Sequence, residues 1–491
     1  MTVPLPSAQL FTDAELSQRR LSAAEQLDHH LAQRGAVDDS GPELRTMIEV
    51  NPDAMSIAME RDAEARDGHI RGPLHGMAIA LKDNIDTSDG MLTTAGSLAL
   101  TGTRPRQDAT LVRRLRDAGL VVLGKSNMSE WANLRSPHST SGWSARGGLT
   151  RNAWDPQRNA GGSSSGSAAA VSVGVVPLAV GTETDGSIIC PASFNGVVGL
   201  KPTVGLLPTD GIIPISHTQD APGPMARSVR LVAALLDAMT GADHYLAASA
   251  EADLSGVRIG VVREHFGDNA PTDAVAEVAV SLLASAGASI VDPVPAVSLP
   301  VPATDDEDEG LRVLLHEFQH GLNAYLAGRP AGGPRTVADV VAFNRDHADA
   351  ELSWFGQEYL EQAMALPGLD SEAYRTARAS IVRQARDDGL DLVFSAHEVD
   401  VLVAPAFPPA SMTDLVLGDY GSGGDCTSAP AIAGYPILSV PMGFVHGLPV
   451  GLAVTGPAHS EGVLLRVAGA LEASLGLLAD GGLIPPTSTG G

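Results

Sequence analysis

Cysteine and basic residues are scarce in this sequence. The two cysteines, Cys190 and Cys426, allow at most one disulfide and cannot form a four-cysteine zinc site. The 491 residues carry 32 Lys and Arg against 58 Asp and Glu, and the net charge of -26 at pH 7 opposes attraction to phosphate backbones and anionic lipid. These shortages exclude a thiol-based scaffold and argue against nucleic acid and membranes as partners.

The sequence also shows no pattern typical of a signal peptide or a membrane-spanning segment. The first residues lack a basic start and an apolar core, and the one long uncharged stretch, within 160–202, is rich in Gly, Ala and Ser. We therefore predict a cytoplasmic protein. We also expect a monomer or homodimer.

Lysine is rarer still, since 29 of the 32 basic residues are Arg. Arginine stays charged, whereas a buried lysine can lose its proton and act as a base. Lys82, Lys125 and Lys201 are therefore candidate functional residues, although a composition bias alone would also leave a few lysines.

Short apolar runs alternate with helical stretches, which predicts an α/β protein. Runs typical of strands lie at 77–81 and 120–123, and two more near the end of the chain are joined by a turn at His446-Gly447. The acidic segment 303–310 is predicted to be a solvated loop or helix start. Helical apolar spacing covers residues 10–35, 43–66, 109–118, 311–327, 337–365 and 461–475.

Two Gly-containing and hydroxyl-rich turns carry the chemistry. Residues 161–167 read GGSSSGS, and residues 181–187 read GTETDGS. A nucleophilic hydroxyl needs a base for its proton and backbone N–H groups for the oxyanion that follows its attack. Lys82 ends an apolar run, where burial would lower its pKa and make it a base. The three segments could together form a Ser, Ser, Lys relay.

These segments resemble the amidase signature family, in which the nucleophilic serine follows the first serine of the GGSS loop by 24 residues. Ser187 follows Ser163 by the same 24 residues. The resemblance implies that Ser187 is the nucleophile, that Lys82 is the base, and that Ser163 bridges them on a cis peptide bond after Gly162. It also implies oxyanion donors in the backbone N–H groups of Thr184, Asp185, Gly186 and Ser187, with Thr182 and Ser165 as orienting residues.

The resemblance covers about residues 45–475, because the segments VVLGKSNMSEWAN, GLKPTVG, GPMARSV and YPILSVPMG are also similar to family segments. The peptide amidase branch is the most similar, through GTETDGSI, CPA and SGWSARGG. This implies one large domain with a mixed central sheet between helices. Residues 1–70 would form a helical cover, 71–230 the catalytic core, and 231–491 the remainder with substrate-pocket helices and C-terminal strands.

The implied reaction is hydrolysis of a carboxamide to a carboxylate and ammonia, without a metal or organic cofactor. The implied substrate is the C-terminal amide of a short peptide or a small amino-acid amide; aryl amides, esters and carbamates are alternatives. Where the family usually has Gly-Gly-Ser-Ile-Arg, residues 185–189 read DGSII. The loss of the arginine and the gain of Asp185 change the charge of the pocket, and hence the choice of substrate.

Other functions remain open at this point. Residues 162–166 match G-x-S-x-G, which would make Ser164 the nucleophile of an α/β-hydrolase, although the preceding segment 150–160 is polar rather than strand-like. His316, Glu317 and His320 match the H-E-x-x-H pattern of zinc peptidases, without a clear third ligand. The family also includes the amidotransferase subunit that supplies ammonia to a tRNA-binding partner, which the acidic composition disfavours.

Overall fold

Eleven strands of the described residues form one mixed sheet, in the order β1-β3-β2-β6-β8-β7-β12-β13-β11-β9-β10. The computed structural model describes residues 21–297, 299, 308–419, 426–476, 483 and 485–488. The strands are β1 Met47–Val50, β2 Ala78–Lys82, β3 Val121–Ser126, β4 Trp143–Ser144, β5 Gly148–Leu149, β6 Leu178–Glu183, β7 Val198–Lys201, β8 Ala221–Ala226, β9 Arg258–Val262, β10 Ser289–Val294, β11 Val401–Pro405, β12 Ile437–Val445 and β13 Leu448–Thr455. The short strands β4 and β5 pair with each other in a separate antiparallel hairpin.

Helices lie along the chain between these strands. The α-helices are Ala23–Arg34, Ala54–Arg66, Thr110–Asp117, Ser165–Ser172, Ile189–Asn195, Val229–Thr240, Tyr245–Ala248, Ala270–Ser285, Glu309–Gly328, Val337–Asp346, Ala348–Glu351, Glu358–Ala365, Glu372–Val382, Asp391–His397, Ser428–Ala433 and Glu461–Leu475. Short 3-10 or π turns occupy Gly35–Asp39, Leu98–Leu100, Glu130–Asn133, Arg263–His265, Arg383–Leu390 and Pro486–Ser488. No helix in the described part of the chain is long and apolar enough to span a bilayer.

Both faces of the sheet are covered, because alternate residues of its central strands enter different hydrophobic cores. In β2, Ile79 belongs to a core with the helices Val229–Thr240 and Glu461–Leu475. Ala80 belongs to a second core with the helix Ser165–Ser172. This helix consists of Ser, Gly, Ala and Val and is buried along its whole length, as its small side chains allow. The α/β class, the mixed central sheet and the single large domain are confirmed.

Several predicted elements differ in their bounds. The helix predicted over 43–66 was wrong in its first part, because Met47–Val50 is a strand that pairs antiparallel with β3 and the helix begins at Ala54. The proposed helical cover 1–70 therefore also contributes a sheet strand. The predicted stretch 337–365 is three separate helices. The final helix, Glu461–Leu475, matches the prediction. Residues 10–20 and 303–307 lie outside the described residues.

One edge of the sheet collects the ends of several strands. β2 runs parallel to β3 and β6, and β8 runs antiparallel to both β6 and β7. The carboxyl ends of β2, β3, β6 and β7 therefore meet the start of β8 at this edge. Ligand sites in α/β sheets form where carboxyl ends of strands meet. All three lysines lie here: Lys82 and Lys201 end β2 and β7, and Lys125 is the last residue but one of β3.

Candidate active site

Lys82 is fully buried and contacts the first serine of the GGSSS loop. Its Nζ lies 2.8 Å from Ser163 Oγ, 2.9 Å from the Thr182 carbonyl oxygen and 2.9 Å from Thr182 Oγ1. Burial lowers the pKa of Lys82 to about 7, and the carboxylates of Asp220 and Glu183 oppose this shift. About half of the Lys82 side chains are therefore neutral near pH 7.

The hydrogen bonds around Lys82 suit a neutral amine. A neutral amine has two N–H donors and one lone pair, and the Thr182 carbonyl can only accept, so one N–H is directed there. Asn84 Nδ2 donates to Thr182 Oγ1 at 2.9 Å, which fixes the orientation of that hydroxyl. The geometry then allows the Ser163 hydroxyl to donate its proton to the Lys82 lone pair.

The loop that carries Ser163 is held from several sides. The peptide bond between Gly162 and Ser163 is cis. The Ser129 N–H donates to the Ser163 carbonyl at 3.2 Å, and Ser165 Oγ donates to the Gly161 carbonyl at 2.5 Å. A Cβ atom on Gly162 would lie 2.3 Å from Ser129 Oγ, so only glycine fits there. The Ser165 side chain thus helps to hold the loop by donating to the backbone carbonyl of Gly161.

Ser187 lies at the more open end of the same site. Its side chain is 7% exposed, whereas Lys82 and Ser163 are 0% exposed. The Ser164 N–H donates to the Ser187 carbonyl at 3.1 Å and joins the two turns. Gly186 has a φ of +73°, which an L residue would adopt only with strain. The structure therefore pairs Lys82 directly with Ser163 and brings the Ser187 turn against their loop.

Glu183 organises the backbone of the Ser187 turn. Its Oε2 accepts the Ile188 and Ile189 N–H groups at 2.6 and 3.0 Å. The Gly186 N–H also favours the ionised form of this carboxyl group, whose pKa is raised chiefly by burial. Because Glu183 interacts with the N–H groups of Gly186, Ile188 and Ile189, the predicted oxyanion donors that it does not occupy are those of Thr184, Asp185 and Ser187.

Asp185 anchors the turn to the C-terminal part of the chain. Its carboxylate accepts hydrogen bonds from Thr427 Oγ1 and Ser428 Oγ, both at 2.7 Å. These hydroxyls lie at the start of the helix Ser428–Ala433. The side chain of Asp185 is thus engaged in positioning the turn, whereas its N–H remains a candidate oxyanion donor.

The other two lysines are also fully buried but make different contacts. Lys125 donates to the Ile85 carbonyl and to Thr93 Oγ1, and Lys201 donates to the Pro202 carbonyl at 3.2 Å. Burial lowers the pKa of Lys125, and it lowers the pKa of Lys201 to about 8 against the attraction of Glu183. The rarity of lysine in the sequence therefore pointed to three residues that are all buried, and of these Lys82 contacts the serine loop.

The α/β-hydrolase alternative does not fit the position of Ser164. Ser164 is 0% exposed, and its Oγ donates to the Thr182 carbonyl at 3.1 Å. This hydroxyl also accepts the Thr182 N–H at 3.2 Å. Ser164 thus joins its loop to β6, and its hydroxyl is engaged by the backbone of Thr182 as both donor and acceptor.

The H-E-x-x-H segment lies on the helix Glu309–Gly328. His316 Nδ1 lies 2.9 Å from the Pro367 carbonyl, and His320 is exposed. Glu317 accepts hydrogen bonds from Ser216 Oγ at 2.5 Å and Tyr374 Oη at 2.6 Å. The described residues contain no group of three or more His, Cys, Asp or Glu side chains placed to hold a metal ion. Glu317 is instead built into a network of hydroxyl donors.

Sequence reasoning missed three polar residues around this site. Asn84 orients Thr182, Glu183 holds the Ser187 turn, and Asp220 accepts the Thr184 hydroxyl at 2.6 Å. Asn84 and Glu183 lie inside segments already singled out, two residues after Lys82 and four before Ser187. Asp220 had no local signal, because it reaches the site through the pairing of β8 with β6.

Comparison with known proteins shows the family of the chain. The amidase family model matches residues 37–465. The crystal structure of the peptide amidase PAM in complex with the competitive inhibitor chymostatin is 45% identical, with a TM-score of 0.88 over 96% of this chain and 98% of that one.

Curated relatives are similar over nearly the whole chain. A probable amidase of Arabidopsis thaliana is 35% identical over 93% of this chain and 87% of its own length. A glutamyl-tRNA(Gln) amidotransferase protein of Chloroflexus aurantiacus is 36% identical over 94% of both chains. Taken with the family match, these similarities identify the chain as a hydrolase of the amidase signature family.

Proposed function

We propose that this protein hydrolyses the C-terminal carboxamide of a short peptide or an amino-acid amide and releases ammonia. The reaction proceeds through an acyl-enzyme on Ser187, with Ser163 as the bridging serine and Lys82 as the base. The observation that carries the proposal is the buried contact of 2.8 Å between Lys82 Nζ and Ser163 Oγ. A lysine whose pKa is about 7 can accept a proton at neutral pH, as general-base catalysis requires.

In the first step, the Ser187 oxygen attacks the amide carbonyl carbon. The Ser187 proton passes to Ser163, and the Ser163 proton passes to the lone pair of Lys82. The resulting oxyanion accepts hydrogen bonds from the N–H groups of Thr184, Asp185 and Ser187, since those of Gly186, Ile188 and Ile189 already act on Glu183. Lys82 is then an ammonium ion.

In the second step, the C–N bond breaks and the proton on Lys82 returns through Ser163 to the leaving nitrogen. Ammonia departs and leaves an ester between the acyl group and Ser187 Oγ. Water attacks this ester and gives its proton through Ser163 to Lys82. The bond between the acyl carbon and Ser187 Oγ then breaks, the proton returns through Ser163 to Ser187 Oγ, and the acid product leaves as a carboxylate after losing its own proton to solvent. Lys82 thus acts as base and acid in turn, for which a pKa near neutrality is suited.

The peptide part of the proposal is supported by similarity to the peptide amidase PAM, which binds chymostatin. The turn also lacks the arginine usual after Ser-Ile in the family, since Ile189 occupies that position. The carboxylate of Asp185 lies on this turn and disfavours an anionic group next to the scissile bond. Aryl amides, esters and carbamates remain alternative substrates, and the absence of nucleic-acid partners stays a prediction.

A substrate panel tests this proposal. N-blocked dipeptide amides, free amino-acid amides, anilides and carbamates are supplied at equal concentration, and ammonia or the other leaving group is measured. We expect the highest kcat/KM for neutral dipeptide amides, and a lower value when the amide carries an adjacent carboxylate. A higher kcat/KM for anilides or carbamates than for every peptide amide would contradict the peptide assignment.

The amidotransferase proteins among the relatives support a second candidate, an ammonia-supplying component of a larger enzyme. The net charge of -26 is unfavourable for work beside tRNA. The isolated chain distinguishes the two functions. Efficient hydrolysis of peptide amides without a second protein supports the amidase, whereas glutaminase activity that requires a co-purifying partner supports the amidotransferase.

Chelation tests the zinc alternative. Activity should survive prolonged treatment with EDTA or 1,10-phenanthroline, and His320→Ala should keep kcat/KM within about threefold, because the proposed mechanism uses no metal. The exposed His320 is a suitable position, since its replacement does not disturb the hydroxyl network of Glu317. Loss of turnover on chelation with recovery on stoichiometric zinc would contradict the mechanism.

A further inference from the structure

Asp220 is a buried carboxylate that the catalytic relay does not use directly. It lies one residue before β8, opposite the end of β6, where Ala221 pairs with Glu183. Its Oδ1 accepts the Thr184 hydroxyl at 2.6 Å, and its Oδ2 accepts the Ile215 and Ser216 N–H groups at 2.8 and 3.0 Å. Both oxygens are therefore held in place by donors.

Asp220 lines a small cavity together with Ser163, the serine that Lys82 contacts. The volume of the cavity is about 20 Å³, and its polar lining comes from Asn84, Ser163, Thr182, Thr184, Thr209 and Asp220. Asn84 is 3% exposed, and its Oδ1 has no hydrogen-bond partner among the described residues. A cavity of this size accommodates about one water molecule. Asp220 thus shares a space with little room for solvent with Ser163 and Thr182, the two residues that Lys82 Nζ contacts.

Building on the proposed hydrolase mechanism, we propose that Asp220 is a positioning residue for both halves of this site. Its carboxylate fixes Thr184 at the base of the turn that carries Ser187. Its charge acts on the pair formed by Lys82 and Ser163, since Ser163 lines the same cavity as Asp220. The catalytic groups remain Ser187, Ser163 and Lys82, and Asp220 acts through them.

The charges around Asp220 determine the sign of its effect. Lys82 contacts Ser163 and Thr182, which line the cavity, and Glu183 lies at the end of the paired strand. Glu317 of the helix Glu309–Gly328 accepts a hydrogen bond from Ser216 Oγ and lies 3.5 Å from His217 Nδ1. Burial raises the pKa of Asp220 to about 6, so the group is largely ionised at pH 7.4. An ionised Asp220 stabilises the Lys82 ammonium and keeps the pKa of Lys82 from falling further.

Hydrogen bonds through Ser216 connect Asp220 to the helix Glu309–Gly328. Glu317 accepts a hydrogen bond from Ser216 Oγ, and the Ser216 N–H donates to Asp220. Glu317, the glutamate of the H-E-x-x-H segment, thus helps to fix Ser216, which donates to Asp220. This link gives the motif a structural role in the amidase site.

The test compares pH profiles of kcat/KM for three variants. Asp220→Asn should lower kcat about tenfold or more, with a smaller change in KM. It should also move the acid limb of the kcat/KM profile to lower pH by about half a unit or more, because the charge that favours the Lys82 ammonium is lost. Thr184→Val should lower kcat without moving the acid limb, since Asp220 keeps its charge. Asp237→Asn is the matched control. Asp237 also accepts backbone N–H groups, but it lies on the helix Val229–Thr240. The pH profile of kcat/KM for this variant should equal that of the wild type.

An acid limb that stays in place for Asp220→Asn, with or without loss of activity, would overturn the electrostatic part of the proposal. A wild-type kcat for Thr184→Val would overturn the positioning part, and this measurement also stands if Asp220→Asn does not fold. Phosphonate labelling of Ser187 in the wild type distinguishes failure of the proposed function from failure of the role of Asp220. If Ser187 is not labelled there, the proposed function fails; if it is labelled and the profiles do not change, only the role of Asp220 fails.

Discussion

Replacement of Ser187 by alanine is expected to abolish turnover and covalent labelling by a serine-directed phosphonate. The change removes the oxygen that attacks the amide carbonyl in the proposed mechanism, and losses of about 10⁴-fold or more are typical when a nucleophile that works with its base is removed. The fold should persist, since the turn is held by backbone and Glu183 contacts that do not involve this hydroxyl. Activity assays with label mapping by mass spectrometry provide the measurement.

Two neighbouring serines are the controls for that result. Ser163→Ala should keep the fold and bind substrate but turn over about 10²-fold or more slowly, because it interrupts the proton path rather than the attack. Ser164→Ala should still be labelled on Ser187, because the Ser164 hydroxyl is bonded to the backbone of Thr182. A label on Ser164 in the wild type would support the α/β-hydrolase alternative instead.

Lys82→Arg is expected to be as damaging as Lys82→Ala, with kcat/KM lowered about 10³-fold or more in both variants. Arginine keeps the positive charge but cannot give up its proton at neutral pH, so it cannot accept one from Ser163. It is also larger than the space that Lys82 fills, which has no exposure to solvent. Circular dichroism and thermal unfolding of the two variants separate the loss of the base from misfolding.

The wild-type pH profile completes this prediction. Lys82 must be neutral to act as the base, and its pKa is lowered to about 7, so kcat/KM should rise with pH through an apparent pKa near 7 and fall as pH drops below it. A free lysine would place this limb near 10.4. High activity of Lys82→Arg at neutral pH would make Lys82 an electrostatic anchor. The base would then have to be sought elsewhere, with Asp185 considered first despite its two hydroxyl partners.

The sequence predicted the central contact of the site because its parts lie in three local motifs. Ser163 and Ser187 carry a fixed spacing, and Lys82 stands out through the rarity of lysine and its place at the end of an apolar run. The structure then places Lys82 and Ser163 in contact. Their catalytic roles remain the proposal that the variants above test.

The surrounding residues could not be predicted because they come from distant parts of the chain. Asp185 is bound by Thr427, 242 positions away, and this contact depends on the order of the strands in the sheet. Similarly, β1 is only four residues long, which is too short to show a period of two within a stretch that also contains a helix. Local patterns thus identify the reacting groups, whereas topology selects the groups that hold them.

The most direct test of the account is to trap the acyl-enzyme. A p-nitrophenyl ester of an N-blocked dipeptide should acylate faster than the enzyme deacylates, so the intermediate accumulates and gives a burst of the leaving group. Acid quench and peptide mapping should then find the acyl mass on the peptide that contains Ser187, and Ser187→Ala should show neither burst nor adduct. A burst with the acyl group on Ser164 or any other residue would contradict the central claim.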